Sequence, residues 1–579
     1  MNNIRSKFRY RSNILALGLI LIGLMVIFTF GTGNVSAAGN TVYVNASGGS
    51  DSYNGLSPVH TTGKTGPKAT ITSGVAAVTA NGTLYIANGV YSGTKNVATN
   101  KNMNIKGQSK TGTIINGDNI NWIFFMVGQK IVISDLTICE GNTNGAAIEN
   151  NGNLTVNNCL FQNNNATYGG AIKNDINCVL TLNGCTFKDN TATHGGVIYN
   201  RGSMTVINSN FFSNSASTDG GAVYNEGKLT VETSKFSNNA ANGGSIYNNG
   251  NVTVINSTLN GNFANIHGGA IYNVGTFNVV NSSLSGNVAN NNGGAIYNEG
   301  KLKVTSSILS ANNAGTNGGA IFTTGTSYTS DVHFNSIVGN TAVTGNAIYN
   351  EGTLDVSNNW WGSNNGPVHG DVFGKTVLSW LVLKLSAVPV SIGNNDHSTV
   401  TADLRYNNYG LILLGSSANG MTVKFTTTLG TISQASVVNG TSKSILKSGT
   451  KTGTAIISAY LDNQTVQTLV KVKDTISPKI NSTNPKNSAL GIPKTAVITV
   501  KFSEKISAGT NINNIKVKNI NTGKYVNISK LISGNIFTIK TATKNKNTWY
   551  QVIIPKAAVK DLAGNNLQTS YSFKFKTSR

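Results

Sequence analysis

The chain is short of charge. Only 11% of its 579 residues are Asp, Glu, Lys or Arg, against about 25% in an average soluble protein. With 39% hydrophobic residues, that scarcity excludes the disordered class, which combines low hydrophobicity with high net charge. Proline is scarce, 8 residues against 65 glycines. Cysteine is scarcer: Cys139, Cys159, Cys178 and Cys185 are too few and too clustered for a disulfide scaffold. No Cys-x-x-Cys pair occurs, which excludes a zinc ribbon. Acidic residues are the minority, 21 against 44 basic ones, for a formal charge of +23. Such a total first suggests a nucleic-acid binder, a reading to be tested by where the charges sit.

Long apolar runs are also lacking, apart from residues 14–30. Arg5, Lys7, Arg9 and Arg11 precede that run, and the small-residue site Val35-Ser36-Ala37 follows it. This pattern reads as a signal peptide over 1–37, cleaved after about Ala37. An uncleaved anchor is the alternative, for a run slightly short of a membrane span. Either way the remainder is expected outside the cell, with no C-terminal anchor.

What is abundant is self-similarity. Gly-Gly pairs begin at Gly169, Gly195, Gly220, Gly243, Gly268, Gly293 and Gly318, a spacing of about 25 residues. Degenerate copies stand at Gly145-Ala146 and Gly345-Asn346. Each pair leads into a unit such as Ala270-Ile271-Tyr272-Asn273, a glycine turn, an alternating run such as Leu229-Thr230-Val231, and a unit ending in Asn such as Phe236 to Asn239. The repeat therefore predicts about three short strands and no helical period. It is too small to close its own core, so copies must stack as a parallel β-helix. Roughly a dozen coils at about 4.8 Å each give a rod of about 55–60 Å.

Columns follow from stacking. Ile/Val runs through Ile148, Ile172, Ile198, Val223, Ile246, Ile271, Ile296, Ile321 and Ile348. A structural amide ladder is expected at Asn150, Asn174, Asn200, Asn225, Asn248, Asn273, Asn298 and Asn350, with Thr323 as the gap. Each such bond is worth about 1 kcal/mol net. A small-residue column runs through Cys159, Cys185, Ser209, Ser234, Ser257, Ser282, Ser307 and Ser336. Cys159 and Cys185 then lie one coil apart, and packed free thiols are favoured over a disulfide because in-register parallel neighbours have poor disulfide torsions.

The Gly-Gly-Ala-Ile and Phe-x-x-Asn motifs over 145–350 resemble the repeats of chlamydial polymorphic outer membrane proteins. They also resemble adhesin-like β-helix proteins of methanogenic archaea. Upstream, Gly48-Gly49-Ser50-Asp51, Gly66-Pro67 and Gly89-Val90-Tyr91 resemble the opening segment of pectate-lyase-like β-helices; a cap over the open core end is implied. Trp360-Trp361-Gly362 resembles the aromatic motif that closes many of these helices.

After about residue 373 the repeat stops. Thr401-Ala402-Asp403-Leu404, Val423-Lys424-Phe425 and Ile456-Ile457-Ser458-Ala459 resemble an invasin-type Ig-like domain. Val500-Lys501-Phe502-Ser503-Glu504, Tyr550 to Pro555 and Asp561-Leu562-Ala563-Gly564-Asn565 resemble the Ig-like domain of bacterial S-layer proteins. The expected division is a signal peptide 1–37, a right-handed parallel β-helix with its cap 38–372, and Ig-like β-sandwiches 373–473 and 474–579, all-β throughout. Asp561 and Asn565 read as a solvated turn, since a hard-cation site wants 6–8 oxygens.

No cofactor motif or metal set is expected. The fold hosts polysaccharide lyases and hydrolases, which is analogy alone. The carboxylates after the Asn column, Asp175, Glu226, Glu299 and Glu351, lie two or more coils apart, about 10 Å or more. That is too far for a retaining pair at about 5–5.5 Å. Arg201 lies between Asp175 and Glu226 as an exposed charge ladder, the one place where a lyase-like group could be argued. His194 and His267 read as turn residues without carboxylate partners. The expectation is a non-enzymatic, secreted, adhesin-like surface protein that meets a polysaccharide or protein partner. A polysaccharide lyase or hydrolase, and a structural envelope protein without specific ligand, are the alternatives.

Charge by position sharpens this. Basic and acidic residues number 4 and 0 over 1–37, 14 and 15 over 38–372, 9 and 3 over 373–473, and 17 and 3 over 474–579. The rod is neutral, which removes the support for nucleic acid. The basic C-terminal domain is expected to hold an anionic cell-wall or envelope polymer.

Overall fold

Glycine and asparagine interrupt every apolar run of the repeat, so each run supports only a short strand. The computed structural model describes residues 40–579, apart from 95–96, 120–121, 129, 144–145, 416 and 418. The expected signal peptide, and Gly145 of the first degenerate repeat, lie outside the described residues.

Four parallel sheets wind into a solenoid. The first has 13 strands, from Thr41–Val44 to Thr353–Asp355; the second has 11, from Gly89–Tyr91 to Ser336–Val338. The third has 8, from Asn142–Thr143 to Asn313–Ala314; the fourth has 12, from Val97–Thr99 to Val372–Phe373. One coil visits Lys228–Glu232, Lys235–Ser237, Ala240–Gly243 and Ile246–Asn248 before returning at Asn251–Ile255. Four strands per coil therefore replace the expected three. The extra one carries a single inward residue, Ala192, Ala216 or Ala241 in successive coils, too little for an alternation to show in the sequence.

Like stacks on like. Phe161, Phe187, Phe211 and Phe236 pair in one column, followed by Leu259 and Leu284. The Ile/Val column stacks in the fourth sheet, and both columns are fully buried. Each such side chain contributes about 1.5–3 kcal/mol by leaving water. The Gly-Gly corner has a steric cause. The first glycine is left-handed, as in Gly268 at φ +66. A Cβ on the second, Gly269, would stand 2.4 Å from Gly294 O. In the coil of Gly243 it is Gly244 that turns left-handed, at φ +62. Six residues separate Asn239 from Ile246 there, against eight between Asn262 and Ile271.

The small-residue column holds with one change: Ser307 N–H donates to Asn335 Oδ1 at 2.9 Å, so Asn335, not Ser336, continues it. Ser336 instead pairs with Ile308 in the second sheet. Cys159 and Cys185 are buried free thiols in this column. At the opening end, an α-helix Ile71–Ala77, N-capped by Thr70, packs Ile71 and Val75 into the rod core. Lys101 Nζ donates to Val75 O, Ala76 O and Val78 O at its C-terminal end, where cations complement the helix dipole.

At the far end the two tryptophans part. Trp361 closes the rod core, whereas Trp360, fully buried, belongs to the core of the following domain. Trp360 Nε1–H donates to Asp462 Oδ2 at 2.6 Å. That domain pairs a three-stranded sheet, Leu381–Val388, His397–Asn407 and Thr441–Lys447, with a five-stranded one containing Thr422–Thr427, Gly453–Leu461 and Gln464–Val472. The last domain pairs a four-stranded sheet, Ile480–Asn484 to Ile528–Ser533, with a five-stranded one containing Lys516–Asn519, Trp549–Ile554 and Tyr571–Thr577.

Candidate binding face of the rod

Two asparagine ladders brace the solenoid from inside. Asn150 Nδ2 donates to Asn174 Oδ1, and the relay passes through Asn200, Asn225, Asn248 and Asn273 to Asn298 at 2.6–2.8 Å. Asn298 then donates to Thr323 Oγ1 at 3.0 Å, and Asn350 Nδ2 donates to Gly374 O at 3.2 Å. The second ladder was not anticipated as one: Asn164, Asn190, Asn214, Asn239, Asn262, Asn287, Asn312 and Asn340 relay amide to amide at 2.9–3.0 Å. Its signal was in plain view as the closing Asn of each Phe-x-x-Asn unit.

The residue between the inward Ile and the inward Asn points outward by strand alternation. In the fourth sheet that residue is Tyr199, Tyr224, Tyr247, Tyr272, Tyr297, Phe322, Tyr349 and Phe373. Their rings stack at 4.6–5.2 Å between centroids, the coil rise itself. Ring faces are therefore used within the stack; Tyr297 and Phe322 are buried, the other tyrosines are half-buried and Phe373 is exposed.

Two further columns flank this ladder. On the side after the Asn column, Arg201 Nη1 meets Asp175 Oδ1 at 3.0 Å and its Nε meets Glu226 Oε2 at 3.5 Å. These half-exposed pairs are worth under about 1 kcal/mol each. The Tyr272 hydroxyl donates to Glu299 Oε1 at 2.8 Å. Burial, reinforced by Glu299, pushes the Tyr297 phenol up to about 12; burial and a hydrogen bond to Glu226 push Tyr199 up as well. These phenols stay protonated donors at neutral pH.

On the other side, the residue before each left-handed glycine folds over the corner. Tyr168 stacks on His194 at 5.5 Å, His194 meets Tyr224 edge-on at 5.4 Å, and His267 stacks on Tyr297 at 4.4 Å. The histidines are therefore more than turn residues. His194 Nδ1 lies 2.8 Å from Thr218 Oγ1, and the Asp219 carboxyl is raised by burial and held down in part by His194. Burial lowers His267, opposed by Glu299. Among the described residues no ion pair joins either histidine to a carboxylate; what the sequence did not show is that the corner folds both rings onto the tyrosine column. His267 Nδ1 and Asn292 Oδ1, one coil apart, are buried without a hydrogen-bond partner among the described residues.

Between the coils of Glu149 and Glu351, Asp175, Asp219, Glu226 and Glu299 join those two acids against Lys173 and Arg201. The face is a shallow acidic-aromatic stripe. A cavity of about 800 Å³ lies elsewhere, between Asn395–His397 and Leu429–Thr431.

In the last domain, oxygens of Asp474, Glu504 and Asp561 lie within 4.8 Å of one another. Asp561 is only 2% exposed. It accepts from Gly564 N–H at 2.6 Å and Asn565 N–H at 2.8 Å, so the turn itself is exposed at Leu562–Gly564, as expected, while the Asp561 side chain that braces it is buried. Burial, then Asp561 and Asp474, raise the Glu504 carboxyl.

Comparison with known proteins bears on this architecture. Residues 121–289 match the family described as right-handed beta helix region, and 281–299 match the Chlamydia polymorphic membrane protein repeat. Residues 474–577 match a bacterial Ig-like domain. The chain carries a right-handed β-helix followed by Ig-like sandwich structure. No curated protein matches the chain. Among solved structures, the adhesin InvE of Yersinia pseudotuberculosis is 19% identical, covering 34% of this chain and 58% of that one at a TM-score of 0.20. The Escherichia coli adhesin FdeC is 13% identical, covering 33% and 63%, TM-score 0.20. A titin I-band fragment, I67-I69, is 11% identical, covering 34% and 65%, TM-score 0.19. The chain spans a little under two thirds of these neighbours' own lengths.

Proposed function

We propose that this chain is a secreted, adhesin-like surface protein. The β-helix presents the acidic-aromatic stripe to a glycan or protein partner, and the basic Ig-like domains act as stalk and envelope attachment. The reading includes removal of residues 1–37 as a signal peptide and division of the chain near residues 372 and 473. One observation carries it: a continuous ladder of aromatic rings from Tyr199 to Phe373, flanked at intervals by the carboxylates of Asp219, Glu226 and Glu299 and by the imidazoles of His194 and His267. A repeated, shallow face of donors and acceptors suits an extended partner lying along the rod better than a small substrate, which wants a concave site.

The stripe's negative charge sets the sign of the partner: a neutral or amine-bearing glycan, or a basic protein segment, is attracted, and an acidic polysaccharide is repelled. The test is binding of the mature chain to arrays of neutral, amino and acidic glycans and to host and envelope surfaces. Binding is expected, weakened several-fold by the joint change Glu226→Gln and Glu299→Gln. A mature chain inert on every surface refutes the reading. Incubation with pectate and alginate tests the enzyme alternative; an unsaturated product abolished by Arg201→Ala would establish a lyase in its place.

A further inference from the structure

The last domain has 17 basic residues and three acidic ones. All three acids, Asp474, Glu504 and Asp561, are gathered at one place. Among the described residues, no ion pair involves residues 474–579. The lysines are therefore left unneutralised, and where they sit decides what they can hold.

Four of them share one sheet face. Lys518 pairs with Gln551, which pairs with Lys574; Trp549 pairs with Lys576; Lys516 lies two residues from Lys518 on the same side. The alternate residues Val517, Val552, Phe573 and Phe575 point into the core, so all four lysines point out. At about 3.4 Å per residue along a strand and about 4.8 Å between strands, they outline a patch of about 7 by 10 Å. No carboxylate lies on these strands. Two rings hold lysines in place: Lys516 Nζ stands 4.8 Å over the Tyr525 ring and Lys574 Nζ stands 5.3 Å over the Trp549 ring.

We propose that this face grips a linear anionic glycopolymer, with lysine ammonium groups meeting its successive negative charges. The proposal rests on the attachment role assigned above and locates it. The shared ligand chemistry is a regular row of single negative charges, whether uronate carboxylates or phosphodiesters. The competing occupant, single-stranded nucleic acid, needs free ring faces for base stacking. Here each of the two rings already has an ammonium group over one face, which favours point-charge contact with a polymer backbone. Lysine suits that role: it is a compact charge on a flexible stem.

The test uses the mature chain and three probes: polygalacturonate, poly(glycerol phosphate) and an oligo-dT. One variant joins Lys516→Gln, Lys518→Gln, Lys574→Gln and Lys576→Gln. A charge-matched variant changes Lys479, Lys501, Lys505 and Lys540 to Gln, four exposed positions away from these three strands. Circular dichroism confirms that both fold. The expected result is binding to at least one glycopolymer that weakens as salt rises, a loss of at least tenfold in the face variant, and less than a twofold change in the matched one. The two polymer arms separate carboxylate from phosphodiester. Equal losses in both variants, absence of glycopolymer binding, or tighter binding of oligo-dT through the same lysines would each overturn the proposal. Retention on cells is measured separately. A face variant that loses polymer but stays on cells would leave the polymer site standing and overturn the attachment role alone.

Discussion

The two asparagine ladders look equivalent, yet their bonding predicts unequal costs. Asn239 makes four hydrogen bonds. Its Nδ2 donates to Asn262 Oδ1 at 3.0 Å and Phe211 O at 3.1 Å, and its Oδ1 accepts from Asn214 Nδ2 at 2.9 Å and Asn214 N–H at 3.1 Å. Asn239→Ala removes all four and leaves the Asn214 N–H buried without an acceptor. At about 1 kcal/mol per bond, with a further penalty for the orphaned donor, the cost is about 4–5 kcal/mol. Asn225 makes three: Nδ2 to Asn248 Oδ1 at 2.8 Å and Gly227 O at 3.0 Å, with Oδ1 accepting from Asn200 Nδ2 at 2.6 Å. When it is lost, Asn200 Nδ2 still reaches Gly202 O and Lys228 O, and Asn248 Oδ1 still accepts from Gly250 N–H. Asn225→Ala therefore costs about 2–3 kcal/mol. Because the chain has three separate cores, a single global unfolding energy is not defined. The assay is local: hydrogen exchange through the flanking coils of each variant. A gap of about 2 kcal/mol is about a thirtyfold difference in protection. Equal loss of protection in the two variants, or a loss under about 0.5 kcal/mol at Asn239, refutes the reasoning.

Other expectations are checked more simply. Gly269→Ala puts a Cβ between Gly294 O at 2.4 Å and Val288 O at 2.6 Å, so the coils must part and the rod's thermal transition should fall sharply. Gly286→Ala, left-handed at φ +62 with nothing within 4 Å, should cost only about 1–2 kcal/mol, and calorimetry of the pair decides. Asp219 has a raised carboxyl pKa from burial, so the wild type loses stability as pH rises from the ordinary carboxylate range through the raised one. Asp219→Asn escapes that loss and should melt higher at pH 7, with the difference vanishing at pH 3; a constant difference across that range contradicts the shift. Burial pushes the Cys185 thiol up to about 11, and all four cysteines are buried. A thiol reagent at pH 8 should therefore label the native chain slowly and the denatured chain fully; rapid native labelling would refute their placement.

Much of the rod was legible because stacking copies one coil's chemistry onto the next. A parallel in-register pair sets Ile on Ile and Asn on Asn, so periodicity in sequence becomes a column in space. The ladder of Asn150 to Asn298 could thus be named residue by residue, and the charge row Asp175, Arg201 and Glu226 falls where the spacing puts it. The missed features all depend on what lies between columns. The third sheet has one inward alanine per strand after its first strand, below any periodic signal. The stacking of His194 and His267 on the tyrosine column arises because the residue before the glycine folds over the corner. The separation of Trp360 from Trp361 depends on a second domain supplying Asp462 from 102 positions further along the chain.

The sequence by itself therefore determined the repeat, the all-β class, the stacking register and the division of charge into a neutral rod and a basic end, since each depends on composition or on residues one coil apart. The tertiary structure alone decided the rest. It turned the tyrosines outward as one stack between two polar columns, buried Asp561 beside Asp474 and Glu504, and laid four lysines on one open sheet face. Those outcomes depend on which side of a strand a residue faces and on which distant strand lies beside it, and no local pattern in the chain records either.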